Sequence, residues 1–142
     1  MHPAYFETRF LVGLPERPLP DPGVILSAYA TTGSTWPRAV NHDADTRLTA
    51  HLHRLGLAPL HRLIGYSPTT GHAEPSWLVA LDRERGASIG GLFRQDAIYL
   101  VENGLLAVVP CTNPGCVHDV APFAERLDWL PAEAFAARLA AC

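Results

Sequence analysis

Glu74 and His72 are the two side chains of this 142-residue chain whose pairing most directly suggests chemistry. A carboxylate two positions from an imidazole is a minimal unit for general acid–base work, and Asn41 or Gln95 could then position a substrate through their amides. The same residues admit a binding reading. Tyr29, Asn41, Glu74, Ser76 and Gln95, with the run Thr31-Thr32-Gly33-Ser34-Thr35, all fall at predicted strand ends or helix starts, where a fixed scaffold presents polar groups to a ligand. Each also has a purely structural use: Asn41 can cap a helix, Glu74 can be solvated or pair with an arginine, and Gln95 can tie down a turn.

Other groupings are weaker. The Thr31–Thr35 run could wrap a phosphate with hydroxyls and backbone N–H groups, but it lacks the lysine and glycine spacing of a phosphate loop, and Trp36-Pro37 interrupts an immediate helix. Cys111, Cys116 and His118 are chemically suited to zinc, yet their spacing and the want of a fourth ligand fit a free-thiol loop better, and no metal site is expected. His51 and His53 lie two apart on a predicted helix and so point to different faces. Arg38, Arg47, Arg54 and Arg62, with Trp36 or Tyr66 to stack on bases, outline a third function class, RNA or DNA binding.

Composition limits these readings. The net charge of −3 opposes general attraction to a phosphate backbone. All eleven basic residues are arginine, which excludes lysine Schiff bases and a lysine-bearing phosphate loop. Three cysteines are too few and too unevenly spread for a disulfide scaffold, and no apolar run approaches the roughly 20 residues that span a bilayer. The start of the chain has neither a basic leader nor an apolar signal core. The expectation is a cytoplasmic, soluble protein with no membrane association. Its 48% hydrophobic residues are enough for one cored domain over 1–142.

Within that domain, residues 1–23 read as an accessory segment ending in a proline-rich connector, 24–109 as the core, and 110–142 as a C-terminal loop and helix. The run from Val24 to Ala30 fits a buried strand. Asn41 or Asp43 then opens a helix carrying Leu48, Leu52 and Leu55 and stopped by Gly56. Strands follow at 60–66 and 76–81. Asp82 caps a second helix over 83–93 whose apolar side is Ile89, Leu92 and Phe93; Gly86, Gly90 and Gly91 weaken it but let it lie close on a sheet. Asn103-Gly104 joins strands 97–101 and 105–109 in a hairpin. A last helix starts near Pro131 with Phe135 and Leu139 on one side. The order predicts an α+β fold, a ferredoxin-like βαββαβ two-layer sandwich with an extra C-terminal strand, completing the hairpin, and a C-terminal helix.

Four stretches, taken in order, resemble a known family: Ser27-Ala28-Tyr29 closing an apolar strand, Asn41 opening a helix, Glu74-Pro75-Ser76-Trp77-Leu78-Val79 entering a strand, and Phe93-Arg94-Gln95-Asp96-Ala97-Ile98 leading to the hairpin. Together they look like the bacterial domain of unknown function family 3293, over about Val24 to Val109. The family often follows its first strand with Asn-Pro, where this chain has Ala30-Thr31, and has Phe-Gly-Gln where this chain has Phe93-Arg94-Gln95. A site served by the Asn-Pro pair would be altered here. The resemblance implies the element order and a bacterial cytoplasmic setting, and transfers no catalytic residue.

The leading expectation is a non-catalytic small-ligand-binding or regulatory module without a cofactor. Pairing of sheet edges would make it a homo-oligomer. The alternative is a small hydrolase-like enzyme using Glu74 or His72 as base with Asn41 or Gln95 positioning substrate.

Overall fold

A computed structural model describes residues 1–142 as one sheet with helices packed on it. In chain order the strands are β1 (Arg9–Gly13), β2 (Gly23–Leu26), β3 (His61–Tyr66), β4 (Ala73–Val79), β5 (Ala97–Glu102), β6 (Leu105–Pro110), β7 (His118–Pro122) and β8 (Leu127–Leu130). The helices are α1 (Arg38–Arg54), α2 (Arg83–Leu92) and α3 (Ala132–Ala140), with short 3-10 turns at Pro3–Phe6 and Phe123–Arg126.

The eight strands run in the order β7-β6-β5-β2-β4-β3-β1-β8. Neighbours are antiparallel except β1 and β8, which are parallel. The sheet is therefore mixed, and it curls into a half-barrel. This overturns the expected ferredoxin-like two-layer sandwich. The physical reason lies in the strands, which are apolar on both sides. Along β2, Val24 and Leu26 enter one core cluster and Ile25 the other; along β4, Val79 enters the first and Leu78 the second. A strand buried on both faces needs cover on both faces. Helices cover the outside, and curling, with added N- and C-terminal strands, covers the inside.

On the convex side Leu48, Leu52 and Ala44 of α1 and Ala87 and Ile89 of α2 pack against Val24, Leu26, Ile98 and Leu100. α2 lies very close to the sheet: a Cβ on Gly86 would stand 2.8 Å from Val24, and one on Gly90 2.7 Å from Ile98. α3 sets Phe135 over Gly13 of β1, where an added Cβ would meet the ring at 3.1 Å. On the concave side Phe10, Val12, Leu63, Leu106 and Phe123 form a second cluster, with Phe10 edge-on to both Tyr99 and Phe123.

Several local expectations need correction. α1 begins at Arg38 directly after Pro37, so neither Asn41 nor Asp43 caps it; proline's fixed φ suits a helix entrance, where its missing N–H breaks no helical bond. Leu55 and Leu92 are exposed, and Ala44 joins Leu48 and Leu52 on the buried stripe of α1. β4 begins at Ala73 and runs through Pro75. β2 pairs with β4 only as far as Leu26 opposite Trp77, so the 73–76 stretch has β3 alone beside it, and proline is tolerated where a strand has a free side. By contrast, Asp82 does cap α2, accepting from the Arg85 N–H at 2.8 Å. The β5–β6 turn has Asn103 and Gly104 at φ 53° and 75°, the left-handed pair a tight hairpin requires. The Asp21 carboxylate accepts both turn N–H groups, at 2.8 and 2.7 Å, tying the proline-rich segment to the hairpin.

Candidate functional site

β2 stops at Leu26 while β4 and β5 continue on either side of it, which opens a crevice on the concave face. A cleft of about 570 Å³ occupies it. The sheet forms the floor. Ile25 sits opposite Tyr99, Gly65 opposite Glu74, and Phe10 opposite Gly65, so alternation along the strands sends Ser27, Ser76, Glu74 and Tyr99 to this side. One wall is the N-terminal turn around Tyr5, another the Thr31–Thr35 loop, and a third the Ser67–Thr70 turn.

No side chain stands between Phe10 and Glu74 in the sheet, because Gly65 pairs with both, and a Cβ there would touch the Phe10 ring at 3.5 Å. Glu74 Oε2 and His72 Nε2 are 3.2 Å apart. That contact holds the His72 imidazole above the usual histidine range, burial opposing it. Ser76 is buried beside them. Tyr99 donates its hydroxyl to the Tyr5 carbonyl at 2.9 Å, and burial drives its phenol well above the ordinary value. Its ring therefore anchors the N-terminal wall to the floor.

Gln95 lines the cleft but its amide is spent on the backbone. Nε2 donates to the Tyr29 carbonyl at 2.7 Å and to the Phe93 carbonyl at 3.3 Å, clamping the approach to β5 onto the loop that follows β2. Thr31 Oγ1 accepts from the Asp96 N–H at 3.1 Å, which fixes the loop on the same side. Asn41 lies behind this loop, accepting from the Ala30 N–H at 2.9 Å. Tyr29 is buried, with its ring 6.1 Å from that of His42 on α1, and burial pushes its phenol up to about 12. The structure thus brings Glu74, His72, Ser76, Gln95 and the Thr31–Thr35 loop to one cleft, while Tyr29 and Asn41 support the loop from the other side.

Sequence reasoning missed Ser27, Tyr99, Gly65 and the whole N-terminal wall. Period-two alternation from Ile25 and from Ser76 carried the signal for the strand residues. Nothing local announces that Tyr5 returns to a strand more than ninety positions away, as the Tyr99–Tyr5 bond shows, or that Glu7 accepts from the Thr69 hydroxyl at 3.1 Å.

The remaining candidates lie elsewhere. Cys116 Sγ contacts His118 Nε2 at 3.3 Å on the β7 side, and Cys111 is partly buried under Gly90, its thiol pushed up to about 11 by burial. No group of three or more histidine, cysteine or acidic side chains is arranged to hold a metal ion. Arg62 is bound to Asp45 and stacks 4.3 Å from the Trp77 ring centroid, Arg47 pairs with Asp43 at 3.0 Å, and Arg38 donates to the Ala140 carbonyl at 3.3 Å. Tyr66 donates to Asp128 at 2.6 Å, and Arg9 grips the same carboxylate through both oxygens, holding it below the usual carboxylate range. No helix is long and apolar enough to cross a membrane.

Comparison with curated proteins and with solved structures finds no match. A family model does match, over residues 26–98, which takes in β3, β4, α1, α2 and the Thr31–Thr35 loop and leaves out β1, β6, β7 and β8. The match covers just over half of the chain, a narrower span than the 24–109 suggested by the sequence motifs, and the chain belongs to the family described as Protein of unknown function (DUF3293).

Proposed function

We propose that the chain is a non-catalytic binding module that holds a small polar molecule in the concave cleft. One observation carries the reading: about 570 Å³ of concave space, floored by the sheet and walled by serine and threonine residues around Glu74, is of the size of small-molecule sites. Polar groups on fixed strands orient a ligand at little entropic cost. The test is a metabolite panel followed by calorimetry on the native chain and on Glu74→Ala and Ser76→Ala. The expected outcome is a bound molecule whose affinity falls in both variants while their melting temperatures stay close to that of the parent. Gln95→Ala is a less clean probe, because it also frees the Tyr29 carbonyl.

The His72–Glu74 contact favours a second reading, a hydrolase-like enzyme. An imidazole held up in pKa by a carboxylate is suited to donate a proton to a leaving group. Substrate turnover that disappears in both His72→Gln and Glu74→Gln would establish it. Full turnover in both variants would end it.

A further inference from the structure

We infer that the ligand of the concave cleft is a small organic cation, an amine-bearing molecule whose ammonium sits at Glu74. The inference rests on the binding reading above and narrows it to one charge class. The acidic side chains that line the cleft are Glu7 and Glu74, and the basic ones are His2 and His72. Every permanently cationic side chain of the protein is an arginine, and no arginine lines the cleft. Arg126, on the far side of the N-terminal wall, is taken by the carbonyls of Phe6 and Thr8, to which Nη1 donates at 2.9 and 3.2 Å.

Glu74 is placed to meet a cation. Its side chain is 25% exposed, and Oε2 is engaged by His72 while Oε1 makes no hydrogen bond within the chain. His72 is 64% exposed on the rim, so its contact yields to a ligand at little cost. Next to Glu74 in the sheet, Gly65 has no side chain and the Phe10 ring beyond it is buried, so the carboxylate is the one acidic group that the sheet floor presents to the cleft. A carboxylate attracts an ammonium through charge-assisted hydrogen bonds and repels an anion. An anion would instead enter a partly desolvated space lined by two carboxylates, with no guanidinium in the lining and Arg126 held behind the N-terminal wall.

The experiment is a ligand-observed NMR screen of the full chain against fragments matched in size and divided equally among amines, uncharged polyols and carboxylates. Hits are located by backbone amide shifts at Ser27, Ser76 and Thr31. Amines are expected to dominate the hits that map to the cleft, and Glu74→Gln, which keeps size and shape, is expected to weaken them on the order of tenfold while leaving the melting temperature unchanged. If polyols or carboxylates dominate the cleft hits, or if Glu74→Gln keeps the amine preference, the charge assignment is overturned and the binding reading stands. If no fragment of any class maps to the cleft, both are overturned.

Discussion

The two faces of the sheet are built from the same strands and do different work. On the convex face Val24, Leu26, Leu100 and Val79 meet α1 and α2 in an apolar layer with almost no space left over, as the glycines of α2 show. On the concave face the apolar cluster around Phe10 and Phe123 fills only one end, and the other end is floored by Ser27, Ser76 and Glu74. One residue step along a strand separates the two environments. The lesson is that stability and recognition are divided between opposite sides of single strands, so substitutions on the two sides should fail in different ways.

The largest effect separates them most plainly. Leu48 is fully buried in the convex core, and Leu48→Ala should cost about 2–5 kcal/mol by loss of transfer energy and creation of a cavity. Ser76 is nearly as buried on the concave side, but Ser76→Ala removes only a hydroxyl and should cost less than about 1 kcal/mol. Urea unfolding of both variants measures the contrast. Equal losses would mean that the cleft floor is part of the stabilising core.

Two glycines of α2 sharpen the picture of the convex face. Gly90→Ala brings a methyl within 2.7 Å of Ile98 and 2.8 Å of the Cys111 sulfur, and should destabilise by about 1–3 kcal/mol through overpacking. Gly91→Ala meets nothing within 4 Å and should stabilise by up to about 1 kcal/mol through helix propensity. Thermal melts of the two variants should therefore shift in opposite directions. A gain in both would show that α2 can rise from the sheet at no cost.

The smallest effect lies within the concave face. His61 is buried with Nδ1 unpartnered, and desolvation, with Arg17 adding to it, holds its pKa below the usual value. The unfolded chain binds that proton more readily, so stability should be lost as pH falls below about 6.5. His72 has the opposite sign: its raised pKa contributes stability that is full below about 6.5 and is lost as pH rises through the folded value. Urea midpoints across pH 5–8 should flatten on the acid side in His61→Gln. In His72→Gln the change should come on the neutral side and be slight, because that side chain is mostly exposed.

Much of this was legible residue by residue. The Asp82 cap and the Asn103-Gly104 turn act through neighbours within a few positions, and local chemistry settles such features. β7 and β8 were not legible: both are short, only partly buried, and broken by prolines at Pro122 and Pro131, so neither shows a clear alternation. The continuous apolar runs of β2 and β6 did carry a warning against a sheet with one solvated face. The site was half legible. Glu74, His72, Ser76 and Gln95 stood out by type, yet type alone could not show that Gln95 would spend its amide on the backbone or that Tyr29 would turn away toward His42.

What the amino-acid order determined by itself was the set of elements between β2 and β6, the charge balance that leaves arginine as the lasting cation, and the polar character of the residues at 72–76. Only the tertiary structure decided that β1 would pair with β3 and β8 across gaps of about fifty and more than a hundred residues, curling the sheet and laying the N-terminal turn over its concave side. The reason is physical. Periodicity and capping are energies between near neighbours, whereas strand pairing and the enclosure of a cleft depend on which distant apolar surfaces meet, and that is settled by the packing of the whole chain.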